Sequence, residues 1–204
     1  MFGSLTRRAE RGPAPRRARG DDGAAMVEAA IVMPLLMLLV FGIIEWGLAF
    51  LSATSTNSAS RSGARTASAL TLNTTYADQA RLAVEQNLKG ALPFATPQEL
   101  WIYRVPASAI DDSGFPEGQT SFVCGTNCIK YTWNGSNFAN ATGTWPAASM
   151  QVCGLPSAFD SVGVYLKVQH NFVTNFFGAS KQIAEHTVMR LEPQTADTCA
   201  AVAS

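Results

Sequence analysis

Two carboxylates are the first residues that demand a chemical explanation. Glu28 and Glu45 lie towards opposite ends of GAAMVEAAIVMPLLMLLVFGIIEWGLAFL, Gly23 to Leu51, a run greasy enough to span a bilayer. An ionisable group in such a run is costly in lipid and faces protein, water or the interface. Glu45 stands beside Trp46 in the outer part of the run, where tryptophan suits the membrane interface. Its carboxylate is expected either to snorkel to the surface or to contact a partner. Glu28 differs, because it follows an Arg-rich leader and Gly23. Cleavage behind Gly23 would free the amino group of Ala24 and make Glu28 the fifth residue of the new chain. Opposite charges in a low-dielectric bundle pair strongly, so Glu28 is expected to meet the charged N-terminus of a neighbouring subunit.

Cysteine and histidine supply the remaining candidates. Cys124, Cys128, Cys153 and Cys199 all follow the apolar run, and an even set in an exported domain suggests two disulfides. Spacing leaves all three pairings open; Cys124 or Cys128 with Cys153 is favoured, with Cys199 pinning the tail. One Cys-x-x-x-Cys pair and two scattered cysteines match zinc spacing poorly. His170 falls on the apolar face of a strand pattern and reads as a core histidine, whereas His186 falls on the opposite register and reads as exposed. A triad of Asp160, a histidine and a serine lacks a Gly-x-Ser-x-Gly elbow. No phosphate loop or dinucleotide fingerprint occurs. The expectation is a protein that is not an enzyme and has no cofactor or metal. A rival function is an anchored or secreted module holding an extracellular ligand through loops around Trp133 and Trp145, since tryptophan in loops suits such contacts.

The elements that position these residues follow from pattern. The 204 residues carry a formal net charge of zero, which argues against a nucleic-acid partner. Arginine is concentrated in residues 1–23, so that side is expected in the cytoplasm and the remainder outside. Residues 24–51 are expected to form a transmembrane helix; its stretch Ala29 to Leu51 would cover roughly 34 Å. Pro34 would kink it, and Gly42 and Gly47 would allow close approach of other helices. A cleaved secretory signal ending near Ser52 is the alternative, disfavoured by the length of the run and by Glu45. Residues 52–92 read as a helical stalk, weakened at Gly63, and a second helix from Thr75 to Leu88 with a capping box of Thr75 and Asp78. Its apolar face, Tyr76, Ala80, Ala83, Val84 and Leu88, is expected to pack on a sheet. Residues 93–204 read as a disulfide-bearing antiparallel β domain with a C-terminal tail. Its strands are expected at residues 100–105, 128–133, 161–172 and 183–191. The fold class is α+β.

The run GAAMVEAAIVMPLLMLLVFGIIEWGLAF resembles the N-terminal signature of the TadE-like proteins, pilin-related minor components of the tight-adherence (type IVc) pilus machinery. RSGARTASA, residues 61–69, is similar to the family's stretch after the membrane helix. HTVMRLEP, residues 186–193, resembles the end of many actinobacterial members. The resemblance implies a bitopic minor pilin or pseudopilin with a small pilin-like domain. Its partners would be other pilin-like subunits, the pilus assembly platform and membrane lipid. It also implies processing by a prepilin peptidase between Gly23 and Ala24. The position after Glu28 holds Ala29, where the major pilins of this system typically carry an aromatic residue.

Overall fold

Alanine, leucine, methionine and glutamate fill the stretch after Asp22, and all are strong helix formers. The computed structural model describes residues 21–107, 124–195 and 199. The Arg-rich leader and the loop at 111–118 lie outside the described residues. Helix α1 runs from Asp21 to Ala69 and passes through Pro34. It is long and apolar enough to cross a membrane.

The chain divides into two units, Met1–Phe41 and Gly42–Ser204. In the first, residues 23–41 are exposed on every side, with large apolar side chains such as Ile31, Leu35, Leu38 and Phe41. In the second, α1 acquires one buried seam. Glu45, Ala49, Ser52, Thr56, Ala59 and Ser60 are buried, and the seam continues through Ala64, Ala67 and Ser68. Steps of four and three keep these residues on one face of a helix. After Glu45 all of them are small. The segment expected as a stalk is therefore part of the domain core.

That seam packs on a five-stranded sheet. Strands β1 (Ala95–Val105), β2 (Cys128–Trp133), β3 (Phe138–Thr142), β4 (Ser161–Asn171) and β5 (Ser180–Arg190) stand in the order β3-β2-β1-β4-β5. Every pairing is antiparallel. Val162, Val164, Leu166, Val168 and His170 of β4 point inward and are fully buried, as strand alternation requires. β1 begins at Ala95, earlier than the expected Leu100. Ala95 pairs with His170, and the register shifts between Pro97 and Glu99. Proline cannot donate to the ladder, so Pro97 sits at the irregularity and hides the strand from a pattern reading.

Helix α2 (Tyr76–Leu88) buries Tyr76, Ala77, Ala80, Val84 and Leu88; Ala83 is only half-buried. The expected capping box does not form. The Thr75 hydroxyl donates to Asn73 Oδ1 at 2.8 Å, and the same oxygen accepts the Thr75 N–H at 2.9 Å. An Asx turn replaces the cap. Glu85 Oε1 ties the helix to the sheet by accepting the Phe138 N–H at 2.8 Å.

The outer face of the sheet carries a smaller cluster of Trp101, Tyr103, Val105 and Cys128. The disulfides are Cys124–Cys128 and Cys153–Cys199. The favoured pairing of Cys153 with Cys124 or Cys128 is thus corrected. Gly143, at φ +78°, lets the chain pass against Cys124 and the Cys128 carbonyl, which holds those two cysteines together. Cys153 faces the tail instead, and Cys199 does pin that tail to the domain. In the loop-entropy picture the short ring constrains the unfolded chain by about 2 kcal/mol and the long one by about 4 kcal/mol.

Gly63 is a point where α1 passes close to α2 and β4. A Cβ there would lie 2.6 Å from Val84 Cγ2 and 3.4 Å from Val164 Cγ1. Gly63, expected as a weak spot in the helix, instead makes room for α2 and β4. Alanine at an exposed helical site gains about 1 kcal/mol over glycine. Overpacking against a stiff β-branched side chain costs about 1–3 kcal/mol. The second effect wins, so Gly63→Ala should lower stability, and a lowered denaturation midpoint checks this.

Candidate functional site

Glu45 occupies the start of the α1 seam, with its side chain 1% exposed. The chain between β4 and β5, residues 172–179, comes down beside it. Glu45 Oε2 accepts the Val173 N–H at 3.2 Å. Glu45 Oε1 accepts both the Thr174 N–H and the Thr174 hydroxyl, the latter at 2.6 Å. Both carboxylate oxygens therefore act as acceptors for one loop. The expected alternatives for Glu45, snorkelling or an assembly contact with another subunit, give way to a contact within the chain. The donors are only part-buried, so removing the acceptor leaves them to water or unpaired and frees the loop from α1.

Aromatic packing closes the same corner. The Phe177 ring lies 6.0 Å from Trp46 and 6.5 Å from Phe172. Gly42 faces this ring: a Cβ there would sit 3.8 Å from Phe177. Gly42, expected to receive another helix, thus receives the chain's own loop. Gly47 has nothing within 4 Å of a built Cβ. Gly23, Ala24 and Glu28 lie on the exposed part of α1. Among the described residues the Glu28 carboxylate forms no ion pair or hydrogen bond.

His170 stands one layer further from the loop. Its Nδ1 is 3.0 Å from Ser52 Oγ, which is also 3.0 Å from the Leu48 carbonyl oxygen. A relay in which Nδ1–H donates to Ser52 and Ser52 donates to Leu48 satisfies both groups. His170 Nε2 has no partner among the described residues. Desolvation holds the imidazole below its usual titration range, against smaller opposing pulls from Glu45 and from the Phe94 backbone. Although it pairs a serine with a histidine, this arrangement is no nucleophile: both side chains are fully buried. Asp160, the third member of the imagined triad, bonds elsewhere. Its Oδ2 accepts from Arg104 Nε at 2.8 Å and from the Gln151 N–H at 2.9 Å.

Other sequence candidates resolve by burial. Trp145 is 1% exposed, edge-on to Tyr76, whose hydroxyl donates to the Trp145 carbonyl at 2.7 Å. Trp133 is half-buried against Phe138. Neither tryptophan is therefore an exposed loop side chain of the kind a ligand module would use. His186 is half-buried and partnered, not exposed. All four cysteines are in disulfides, leaving no thiolate for zinc. Among the described residues no group of three His, Cys, Asp or Glu side chains could hold a metal. Sequence reasoning missed Val173 and Thr174 as the partners of Glu45. The available signal was FVTNFFG, residues 172–178, an unusually apolar composition for a hairpin connection.

Residues 23–65 match the family model described as TadE-like protein. This part of the chain is TadE-like. It covers the exposed apolar part of α1, Glu28, Glu45 and most of the small-residue seam. The match spans 43 of the 204 residues. No match is found among curated proteins or among solved structures.

Two outcomes follow from this geometry. Glu45→Ala should strip hydrogen-exchange protection from the Val173 and Thr174 amides, with a smaller loss for Glu45→Gln, which keeps one acceptor oxygen. His170 has a folded pKa depressed below the unfolded 6.5. Its contribution to stability is then intact above that value and is lost as pH falls through the folded one. His170→Gln should flatten this part of the stability–pH curve, read from denaturation midpoints.

Proposed function

We propose that the protein is a minor pilin or pseudopilin subunit of a tight-adherence pilus assembly system, single-pass in the cell membrane. Its N-terminus lies in the cytoplasm and its domain outside. The observation that carries this reading is the division of labour along one helix. The TadE-like segment begins on the fully exposed apolar part and ends on the seam buried by the chain's own sheet. The exposed part needs lipid or other helices as its solvent, since no described residue of its unit covers it. Action is by association, not catalysis.

In this reading a prepilin peptidase cuts between Gly23 and Ala24. Glu28 then sets register by pairing with the N-terminus of a neighbouring subunit. Its lack of a partner within the described chain supports that use, as does the full occupation of Glu45 inside the domain. Pro34 and Gly47 contribute to packing among the membrane helices and to any bend in the span. The assembly platform and other pilin-like subunits are the partners.

The test is the N-terminus and intact mass of the protein purified, with whatever accompanies it, from its native membrane, for wild type and Glu28→Ala. A mature wild-type chain starting at Ala24 is expected. Glu28→Ala is expected to remain membrane-inserted yet lose its pilin-like companions. A chain starting near Ser52 would replace the pilus reading with a secreted domain. Unchanged co-purification would remove Glu28 from the mechanism.

A further inference from the structure

The loop held by Glu45 presents a surface that a water-facing hairpin has no reason to carry. Val173 and Phe176 are 65% and 63% exposed, and Phe177 is half exposed. Beside them on α1, Trp46 and Phe50 are 54% and 71% exposed. Between α1 and β5 runs a groove of about 360 Å³ lined by Trp46, Ala49, Phe50, Lys181 and Ile183, among others. Lys181 Nζ stands 5.8 Å from the centre of the Trp46 ring.

Position along α1 says what covers this surface. The apolar run ends at Leu51, and Glu45 lies about 9 Å back along the helix axis from there. A loop bonded to Glu45 is carried to the same depth. If residues 24–51 cross the membrane, Val173, Phe176 and Phe177 lie where aromatic side chains collect in bilayers. Segments that lie in this interface bury apolar groups roughly 5–10 Å below the headgroups.

Five of the loop's backbone N–H groups are prepared for that setting. In lipid each unpaired N–H costs several kcal/mol. The Val173 and Thr174 N–H groups are taken by Glu45, and that of Phe176 by Thr174 Oγ1 at 3.4 Å. The Gly178 and Phe172 N–H groups donate to the carbonyls of Asn175 and Ala179. Lys181, at the mouth of the groove, supplies a cation at headgroup level. We propose that the β4–β5 loop is a second membrane contact. Its apolar tip inserts into the leaflet at which α1 emerges, and Lys181 faces a lipid phosphate. Glu45 is the buried acceptor that lets the loop leave water. This proposal rests on the membrane-spanning reading of α1.

The experiment uses the full chain in lipid nanodiscs of phosphatidylcholine and phosphatidylglycerol, with and without acyl-chain bromination, which quenches indoles in contact with lipid. Phe176→Trp adds an indole at the tip, and its emission is the difference from the parent. Val173→Trp is the second reporter should the first disturb folding. Trp46→Phe isolates Trp46 and reports on the span independently. Quenching of the added indole to the extent seen for Trp46, at one and at two copies per disc, is the expected result. Quenching of Trp46 alone overturns the loop contact and leaves the span standing. Quenching of neither removes the span and the loop contact together. Protection of the added indole only at two copies per disc assigns the surface to a second copy, which also overturns the proposal.

Discussion

How closely α1 can approach β4 and β5 sets the terms for the rest of the domain. A helix packed on a sheet normally presents large apolar side chains, and their bulk fixes the separation. Here the seam is alanine, serine, threonine and glycine, so the strands provide most of the bulk through Val162, Val164, Leu166 and Val168. Close approach brings polar side chains within bonding distance across the layers. Ser60 Oγ lies 2.9 Å from Thr187 Oγ1, and Asn57 donates to Glu185 at 3.2 Å. Large residues on the seam would give area but would push β5 away and break these bonds. Packing and hydrogen bonding thus depend on the same choice of small side chains.

Glu45 extends that seam into apolar surroundings, where it is the one large side chain. A buried carboxylate is unfavourable unless its lone pairs are filled. Three donors from one loop fill them, and the loop in turn has no better acceptor. Each side removes the other's desolvation penalty, which is why a costly residue sits in an otherwise apolar run. The same logic explains the contrast with Glu28, whose surroundings within the described chain supply no donor.

Much of the architecture was legible because it rests on periodicity. β4 alternates through its whole length, β2 was placed at its observed ends, and α2 showed its buried stripe. Failures occurred where long-range geometry decides. Pro97 concealed the first half of β1, although a bulge accommodates it. The partners of Cys153 and Glu45 lie far away in the chain, and local spacing carries no information about them. Gly63 looked like a helix defect because its reason, the Val84 side chain, belongs to another element. Trp145 was placed in a loop that suited either ligand contact or core packing, and Tyr76 decides for the core. At the site, both Glu28 and Glu45 stood out by type, but one sequence cannot say that Glu28 is exposed and Glu45 is buried against a loop of its own chain.

The Cys153–Cys199 bond has a consequence for biogenesis. A chain made from its N-terminus presents α1 first, with its small polar seam uncovered. β4 and β5, which cover that seam, come only after most of the chain has emerged, and Cys199 follows both. The bond therefore cannot close before the last strand has been made. Closing it joins the tail to the domain only when every strand that covers the helix is present in the chain. Until then the uncovered seam is the surface that any chaperone of this chain has to shield.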